Sequence, residues 1–596
     1  MGGDHALLHK LFLRVEPSLL ARSEQLLAVR EALEAGRAEQ ALAGLAEELR
    51  RQPQDPLALV LCADAFLAYG QALQALELVQ RARASAPALT GLRLVEAQQL
   101  LLLERHAEAR VLLEPIVRGD FAGVDATTLA LVRERLARVW LGLQRPEQAL
   151  EVLQPLLDGG DTSPMPTDLA VLAAELMLVL RRPAQALPWA AQAHSAQGTP
   201  SSARLLARCH FLLDDQEGYA QVLVAAAQSW PQDGELAALA ALALFDRPHS
   251  EAGWTLLEAA LQQAGASPAL RFVAARQWLI RGDFERGWSA YEARLELPDN
   301  NLYAPCPQGW QQQSPRGRTV VVVAEQGVGD VLFLSRFLPP LLEDASRVLL
   351  LVEPRLIPLL QRSHPRLVVL DQVDLARVLA GPEALWIPLG SLPLRYGGDR
   401  ATISMAAAQP QLRLSPRLLE HWRLRLEEQA GQAPRIGVSL TAGAQHQEYQ
   451  ARKRSIDPEV VLAPLRGLPV TAIDLQHRDQ LQMEAGGESS MFQILRLEPI
   501  TRDLDHLCAV LANLDLLITS DQTNAFLGGM LGLRTLVIVP PNPHFMLMHE
   551  GQRTPWFDSL RIVRAPHWRD WAGVADAYQA LLAESLAELP VRGSGM

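Results

Sequence analysis

Residues recur through the first half of the chain with a step of 34. Gly36, Gly70 and Glu104 mark it, Ala41, Ala75 and Ala109 repeat it, and Pro53 and Pro87 keep the same distance. This period constrains the fold more than any other feature. It is the length of one helix–turn–helix unit, which cannot bury its apolar face alone and must stack on its neighbours. The residue types suit that geometry. A small side chain lets paired helices approach, and proline closes the second helix before the next unit. From Ala21 to Leu297 the chain is dominated by Ala, Leu, Glu, Gln and Arg, all good helix formers.

The period and its small-residue positions are those of tetratricopeptide repeats. Later units drift: QRPEQAL at 144–150 returns as RRPAQAL at 181–187, and further units surround Gly218, Gly253 and Gly287. GGDTSPMPTD, at 159–168, reads as a loop insertion because Gly, Pro, Ser and Asp crowd together. About seven or eight repeats are expected in a repeat array at 1–297, with residues 21–297 forming a right-handed helical solenoid without a sheet. Such an array offers a curved surface for an extended protein segment, here a protein acceptor; a purely structural or dimerising role is the alternative.

After Pro298 the character changes. Residues 298–318 are rich in Pro, Asn, Gln and Gly and read as a linker. TVVVVA (319–324) is a continuous β-branched run of the kind found in buried parallel strands. VLLLVE (348–353) and LVVL (367–370) follow, and then a second set: RIGVSL (435–440), VTAIDL (470–475), LDLLIT (514–519) and RTLVIV (534–539). Strands alternating with helices imply parallel sheets with helices on both faces. The expected fold is therefore α plus α/β: the repeat solenoid, then two Rossmann-like lobes at 319–410 and 411–596 with a cleft between them.

The bulk properties narrow the function. Net charge of −12 disfavours broad binding to nucleic acid. Apolar runs such as LALVLCADAFLAYG are interrupted by acids before they reach spanning length, so no transmembrane segment is expected. The N-terminus lacks the pattern of a signal peptide. The four cysteines lie far apart, with no metal-ligand spacing, which points to a reducing cytoplasm.

Ligands in α/β folds sit beyond the carboxyl ends of the strands. There the first lobe carries Glu325-Gln326-Gly327-Val328-Gly329-Asp330. Gly327 and Gly329 let the backbone approach a donor, and the following helix offers free N–H groups. Asp330 can take a proton from an acceptor hydroxyl; the plainer alternative is a helix cap. In the second lobe Lys453 and Arg454 follow a Gly-containing loop, where a diphosphate needs cations when no metal is bound; the alternative is a solvated charge pair. Lys453 is one of only two lysines, Lys10 being the other. Asp521 can cap a helix or hold a sugar hydroxyl, and Thr523 and Asn524 can donate to phosphate oxygens. His446, His477, His506, His544 and His549 form no metal-binding spacing and read as loop residues, of which His477 and His544 can touch a ligand; no metal and no cofactor beyond the donor substrate is expected.

AEQGVGDVLFLSRFLP (324–339) resembles the opening of glycosyltransferases in the ADP-heptose:lipopolysaccharide heptosyltransferase superfamily, and more closely the tetratricopeptide-repeat proteins that carry such a domain. GDFERGWSAYEARL (282–295), GSLPLRYG (390–397), KRSID (453–457), LDLLITSDQTNAFLGGMLG (514–532) and TPWFDSLRIVRAP (554–566) resemble further elements in the same order. IDLQ (473–476) resembles the strand-end Ser-Leu-Gln element, which places Gln476 at the donor. The resemblance implies a nucleotide-diphosphate sugar as donor and Asp330 as base. The sequence departs from the pattern Asp-Thr-Ala-x-Ala-His: Gln522 replaces the threonine, Phe526 the histidine, and Thr523 stands at the first alanine. The resemblance implies a GT-B arrangement of the two lobes, and together these features predict an inverting, metal-independent glycosyltransferase. The alternatives are a noncatalytic scaffold with a decayed transferase domain, or a transferase acting on a lipid-linked or polysaccharide acceptor.

Overall fold

The computed structural model describes residues 7–121, 124–158, 166–247, 251–263, 267–298, 300, 302–306, 309–310, 313–399, 403, 411–441, 452–476, 492–497 and 503–589. The chain divides into two compact units, 1–222 and 223–596.

The first unit is helical. A lone helix α1 (Leu8–Val15) and a short α2 (Leu20–Gln25) precede a series of hairpins. These pair α3 (Leu27–Glu34) with α4 (Ala38–Arg51), α5 (Pro56–Ala68) with α6 (Ala72–Ser85), α7 (Thr90–Leu102) with α8 (His106–Val117), α9 (Ala126–Gly142) with α10 (Pro146–Leu157) and α11 (Thr167–Val179) with α12 (Pro183–Ala196). Helices α13 (Pro200–Leu212) and α14 (Gln216–Ser229) follow.

The backbone explains the period. Between the helices of successive hairpins the chain passes through one left-handed residue: Gly36 (φ +70°), Gly70 (+74°), Glu104 (+57°), Gln144 (+58°), Arg181 (+57°) and, before α14, Asp214 (+59°). Five residues after the first five of these stand Ala41, Ala75, Ala109, Ala149 and Ala186, each with no exposed surface. An alanine there lets the second helix close onto the first, and a larger side chain would wedge them apart.

The second unit opens with four more helices, α15 (Gly234–Phe245), α16 (Glu251–Gln263), α17 (Pro268–Arg281) and α18 (Phe284–Tyr291). No described residue of 21–297 is in a strand. Two parallel sheets follow. Strands β1 (Thr319–Val323), β2 (Arg347–Leu351), β3 (Leu367–Leu370) and β4 (Leu385–Pro388) are ordered β3-β2-β1-β4. Strands β5 (Arg435–Ser439), β6 (Val470–Asp474), β7 (Phe492–Arg496), β8 (Leu516–Ser520), β9 (Thr535–Val539) and β10 (Leu560–Arg564) are ordered β10-β9-β8-β5-β6-β7. Nearly every described residue of β1, β2, β5, β8 and β9 is buried, as strands covered on both faces must be.

The helices of the second unit are built into the same core as the sheets. Trp288 and Tyr291 of α18 lie edge-on to Phe545, at 5.6 and 6.0 Å, and Phe284 meets Trp556 at 5.6 Å. The last helices before the sheets thus have their aromatic partners beyond β9. Among the described residues no helix is long and apolar enough to cross a membrane.

Candidate active site

In an open parallel sheet the strand order reverses at one point, and the strand ends there leave a crevice. In the four-stranded sheet that point lies between β1 and β4; in the six-stranded sheet it lies between β5 and β8. The loops after β1, β5 and β8 therefore define the candidate site.

The loop after β1 is held from below. Glu325 is buried and accepts from Arg294 Nε (2.9 Å) and Nη2 (2.6 Å) and from the N–H of Gly390 (2.6 Å). The glutamate and its neighbours raise the Arg294 guanidinium above its ordinary value, although burial pulls it down. A Cβ on Gly390 would lie 2.5 Å from the glutamate oxygen, so only glycine fits. Gln326 is left-handed (φ +65°), and its amide oxygen accepts from Tyr291 Oη at 3.1 Å. A strained residue held by surrounding contacts is a common feature of functional loops.

This anchoring presents Asp330 at the third position of α19 (Val328–Leu334). One carboxylate oxygen accepts from the N–H of Gly327 at 3.3 Å, a long capping bond. The other faces His544 Nε2 at 3.1 Å. His544 Nδ1 accepts from the N–H of Met546 (3.4 Å), which assigns the hydrogen of the neutral ring to Nε2 and makes it the donor to Asp330. Burial pushes the Asp330 carboxyl upward, but His544, the charge of Arg276 on α17 and the Gly327 N–H outweigh it, so it lies below the ordinary aspartate value. The side chain keeps 22% of its surface exposed. Asp330 thus caps its own helix through one oxygen and keeps part of its carboxylate exposed.

His544 also reaches Asp521. Its backbone N–H donates to Asp521 Oδ2 at 2.7 Å, and Arg454 Nη1 donates to the Asp521 carbonyl at 3.3 Å. Asp521 is only 2% exposed, yet its Oδ1 accepts no hydrogen bond among the described residues. The carboxylates after β1 and β8 are thus linked through one histidine.

The other expected residues sit nearby with different tasks. Gly329 lets α19 approach the helix Thr523–Leu531; a Cβ there would lie 2.8 Å from the Phe526 ring and 3.1 Å from Thr523 Oγ1. The glycine read from sequence as room for a ligand is room for a neighbouring helix. Phe526 also packs against His544, with ring centres 5.3 Å apart. Gln522 ties strand ends together, its amide donating to the Ser439 carbonyl (2.7 Å) and lying near Ser439 Oγ (3.0 Å) and Ser520 Oγ (3.1 Å). Asn524 is buried and donates to Ser439 Oγ at 2.8 Å. Gln476 holds the start of the loop after β5, accepting from the N–H groups of Leu440 (3.1 Å) and Thr441 (3.2 Å) and from Thr441 Oγ1 (3.0 Å).

Lys453 differs most from expectation. It is not on an open loop: it is 4% exposed and ion-paired with Asp246, which follows α15 and is itself 2% exposed. Burial pulls the Lys453 ammonium below the ordinary lysine value, and Asp246 offsets part of that. The helices before the sheets therefore reach the site through Asp246, Arg276, Tyr291 and Arg294, which sequence reasoning did not single out. Arg294 lies inside the family-like stretch 282–295; no local signal joins Asp246 to Lys453. His446 and His477 lie outside the described residues. Among the described residues no three His, Cys, Asp or Glu side chains cluster as a metal site.

No family profile matches the chain. Protein FlbA of Caulobacter vibrioides is 28% identical over 366 residues, covering 56% of this chain and 58% of that protein, so the match spans under two thirds of the relative. Among solved structures, Pseudomonas aeruginosa PilF aligns over 35% of this chain and 92% of its own, at 21% identity and TM-score 0.30. The iron-containing heptosyltransferase TibC, solved with ADP-D-beta-D-heptose, aligns over 47% and 79%, at 12% identity and TM-score 0.29.

Proposed function

We propose that the chain is an inverting glycosyltransferase that moves a sugar from a nucleotide-diphosphate donor to a hydroxyl of a protein recruited by the repeats. The observation that carries this reading is the meeting of Asp330, His544 and Asp521 at the strand-order reversals of the two sheets. The family-like motifs on those loops supply the donor class. A GT-B arrangement of the sheets and a cytoplasmic setting belong to the proposal.

The chemistry follows from the groups at hand. Asp330 is ionised at neutral pH and partly open. As the acceptor oxygen attacks the anomeric carbon its proton grows acidic, and the carboxylate takes it. The bond from that carbon to the diphosphate breaks on the opposite face, so configuration inverts. Arg454, Thr523 and the N-terminus of the Thr523–Leu531 helix meet the departing diphosphate in place of a metal, and the buried Oδ1 of Asp521, which accepts no hydrogen bond among the described residues, is satisfied by a sugar hydroxyl. Lys453 contributes to the local field while paired with Asp246.

A second reading, a noncatalytic scaffold, has its own observation. Phe526 packs onto Gly329 and fills the position of the family histidine, and Lys453 is already neutralised. The discriminating experiment is a thermal-shift screen of nucleotide-diphosphate sugars with and without EDTA, because a ligand of the native state raises its melting temperature. An EDTA-insensitive shift by a nucleotide sugar supports the transferase. No shift by any donor favours the scaffold.

A further inference from the structure

Most cations around the site are already committed. Lys453 is paired with Asp246, and Arg294 with Glu325. Arg564 donates to the carbonyls of Leu547 (2.6 Å), Met548 (2.9 Å) and Gly551 (3.0 Å), and Arg454 to that of Asp521. Arg276 of α17 is different. It is half-buried, and its guanidinium makes no hydrogen bond and no ion pair among the described residues.

The helix that carries it is fixed against the site. Gln277, the next residue, donates to Asn542 Oδ1 at 3.1 Å, and the N–H of His549 donates to the Ile280 carbonyl at 3.1 Å. Helix α17 is therefore anchored on both sides of His544 in sequence. Phe272 packs against Tyr291, with ring centres 5.5 Å apart, and Tyr291 in turn donates to Gln326 of the loop after β1. Residues four apart share one helix face, so Arg276 emerges between Phe272 and Ile280, among these anchors. Burial and His544 act most on the Asp330 carboxyl, and burial most on the Lys453 ammonium, but the charge of Arg276 bears on both groups and lowers each. The guanidinium thus stands near both Asp330 and the basic pair Lys453–Arg454, with its fork of five donors unspent.

We propose that Arg276 binds the diphosphate of the donor, taking the part that the ion pair with Asp246 denies to Lys453. The inference rests on the transferase reading and deepens it. A diphosphate that departs without a metal needs cations whose charge is not already neutralised, and its paired oxygens match the planar fork of an arginine. In this arrangement Arg276 also keeps the donor phosphates close to Asp330, with its positive charge between the two anions. The helices before the sheets then supply a ligand of the donor, so α17 belongs to the donor site as much as the loops after β5 and β8 do.

The test is calorimetric titration of the full chain with inorganic pyrophosphate in the presence of EDTA. Arg276→Gln is expected to melt as the unaltered chain does, because the side chain holds nothing else in place, and to bind pyrophosphate at least about tenfold more weakly, the size usual for losing a charged hydrogen-bonded contact. Arg276→Lys, which keeps the charge without the fork, is expected to recover part of that loss. Arg286→Gln removes the same charge from an exposed position on α18 and is expected to leave the affinity unchanged. Equal affinity in Arg276→Gln and the unaltered chain overturns the inference and leaves the transferase reading standing. An equal loss in Arg286→Gln overturns it too, since any surface cation would then serve. If the unaltered chain binds no pyrophosphate, the inference falls, and the transferase reading stands or falls separately on the nucleotide-sugar screen.

Discussion

Lys453 offers the sharpest stability test. Its ammonium and the Asp246 carboxylate are both almost wholly buried and paired. Lys453→Ala leaves Asp246 in a dry site without its lysine, and such a loss costs about 3–5 kcal/mol. Replacing both partners at once, as Lys453→Met with Asp246→Leu, removes the desolvation cost along with the attraction; that change is expected to range from about neutral to stabilising by about 1–4 kcal/mol. Urea unfolding followed by tryptophan fluorescence reads the right part of the molecule. Of 12 tryptophans only Trp140 and Trp189 fall in the first unit. A change under about 0.5 kcal/mol in Lys453→Ala, the size usual for exposed loop charges, would refute the buried pair and return Lys453 to the donor as a free cation.

Three further outcomes follow from the geometry. Gly329→Ala pushes a methyl group into the Phe526 ring and is expected to cost about 1–3 kcal/mol, with part recovered by Phe526→Leu in the same chain; urea midpoints check both. Glu104→Gly removes an exposed side chain from a left-handed backbone position and is expected to raise stability of the first unit by about 0.5–1 kcal/mol, read by circular dichroism. The depressed Asp330 carboxyl contributes stability that is fully present above the unfolded aspartate value of about 3.9 and is lost as pH falls through the lower folded value. Asp330→Asn should therefore flatten part of the acid limb of a melting-temperature profile, and an unchanged limb would count against the His544 contact.

Much of the fold was legible because its rules are local. The 34-residue step reports the left-handed turn and the buried alanine five residues on, and the β-branched runs report β1, β5 and β8. Strands β4, β7 and β10 escaped because LWIP, FQILR and LRIVR are short or interrupted by polar side chains. The packing of the last helices onto the sheet core escaped for a different reason. An amphipathic pattern shows that α17 and α18 are helices, not that their partners lie beyond β9. The site was legible as loops, and Asp330 and Asp521 do meet through His544. His544 was legible as a loop residue able to touch a ligand, but not as the link between two carboxylates, and Asp246 lies too far from Lys453 in sequence for any pattern to join them. Lysine rarity flagged Lys453; only the tertiary structure supplied its partner.

Turnover by Asp330→Asn tests the central claim most directly. The amide keeps the size of the carboxylate and removes its basicity, so donor-induced thermal stabilisation should persist. The rate of nucleoside-diphosphate release at saturating donor and acceptor should fall by about a hundredfold to ten-thousandfold, the usual worth of a general base. Near-normal release in the variant, or no release by the unaltered chain with any nucleotide sugar, would contradict the account and leave Asp330 a helix cap.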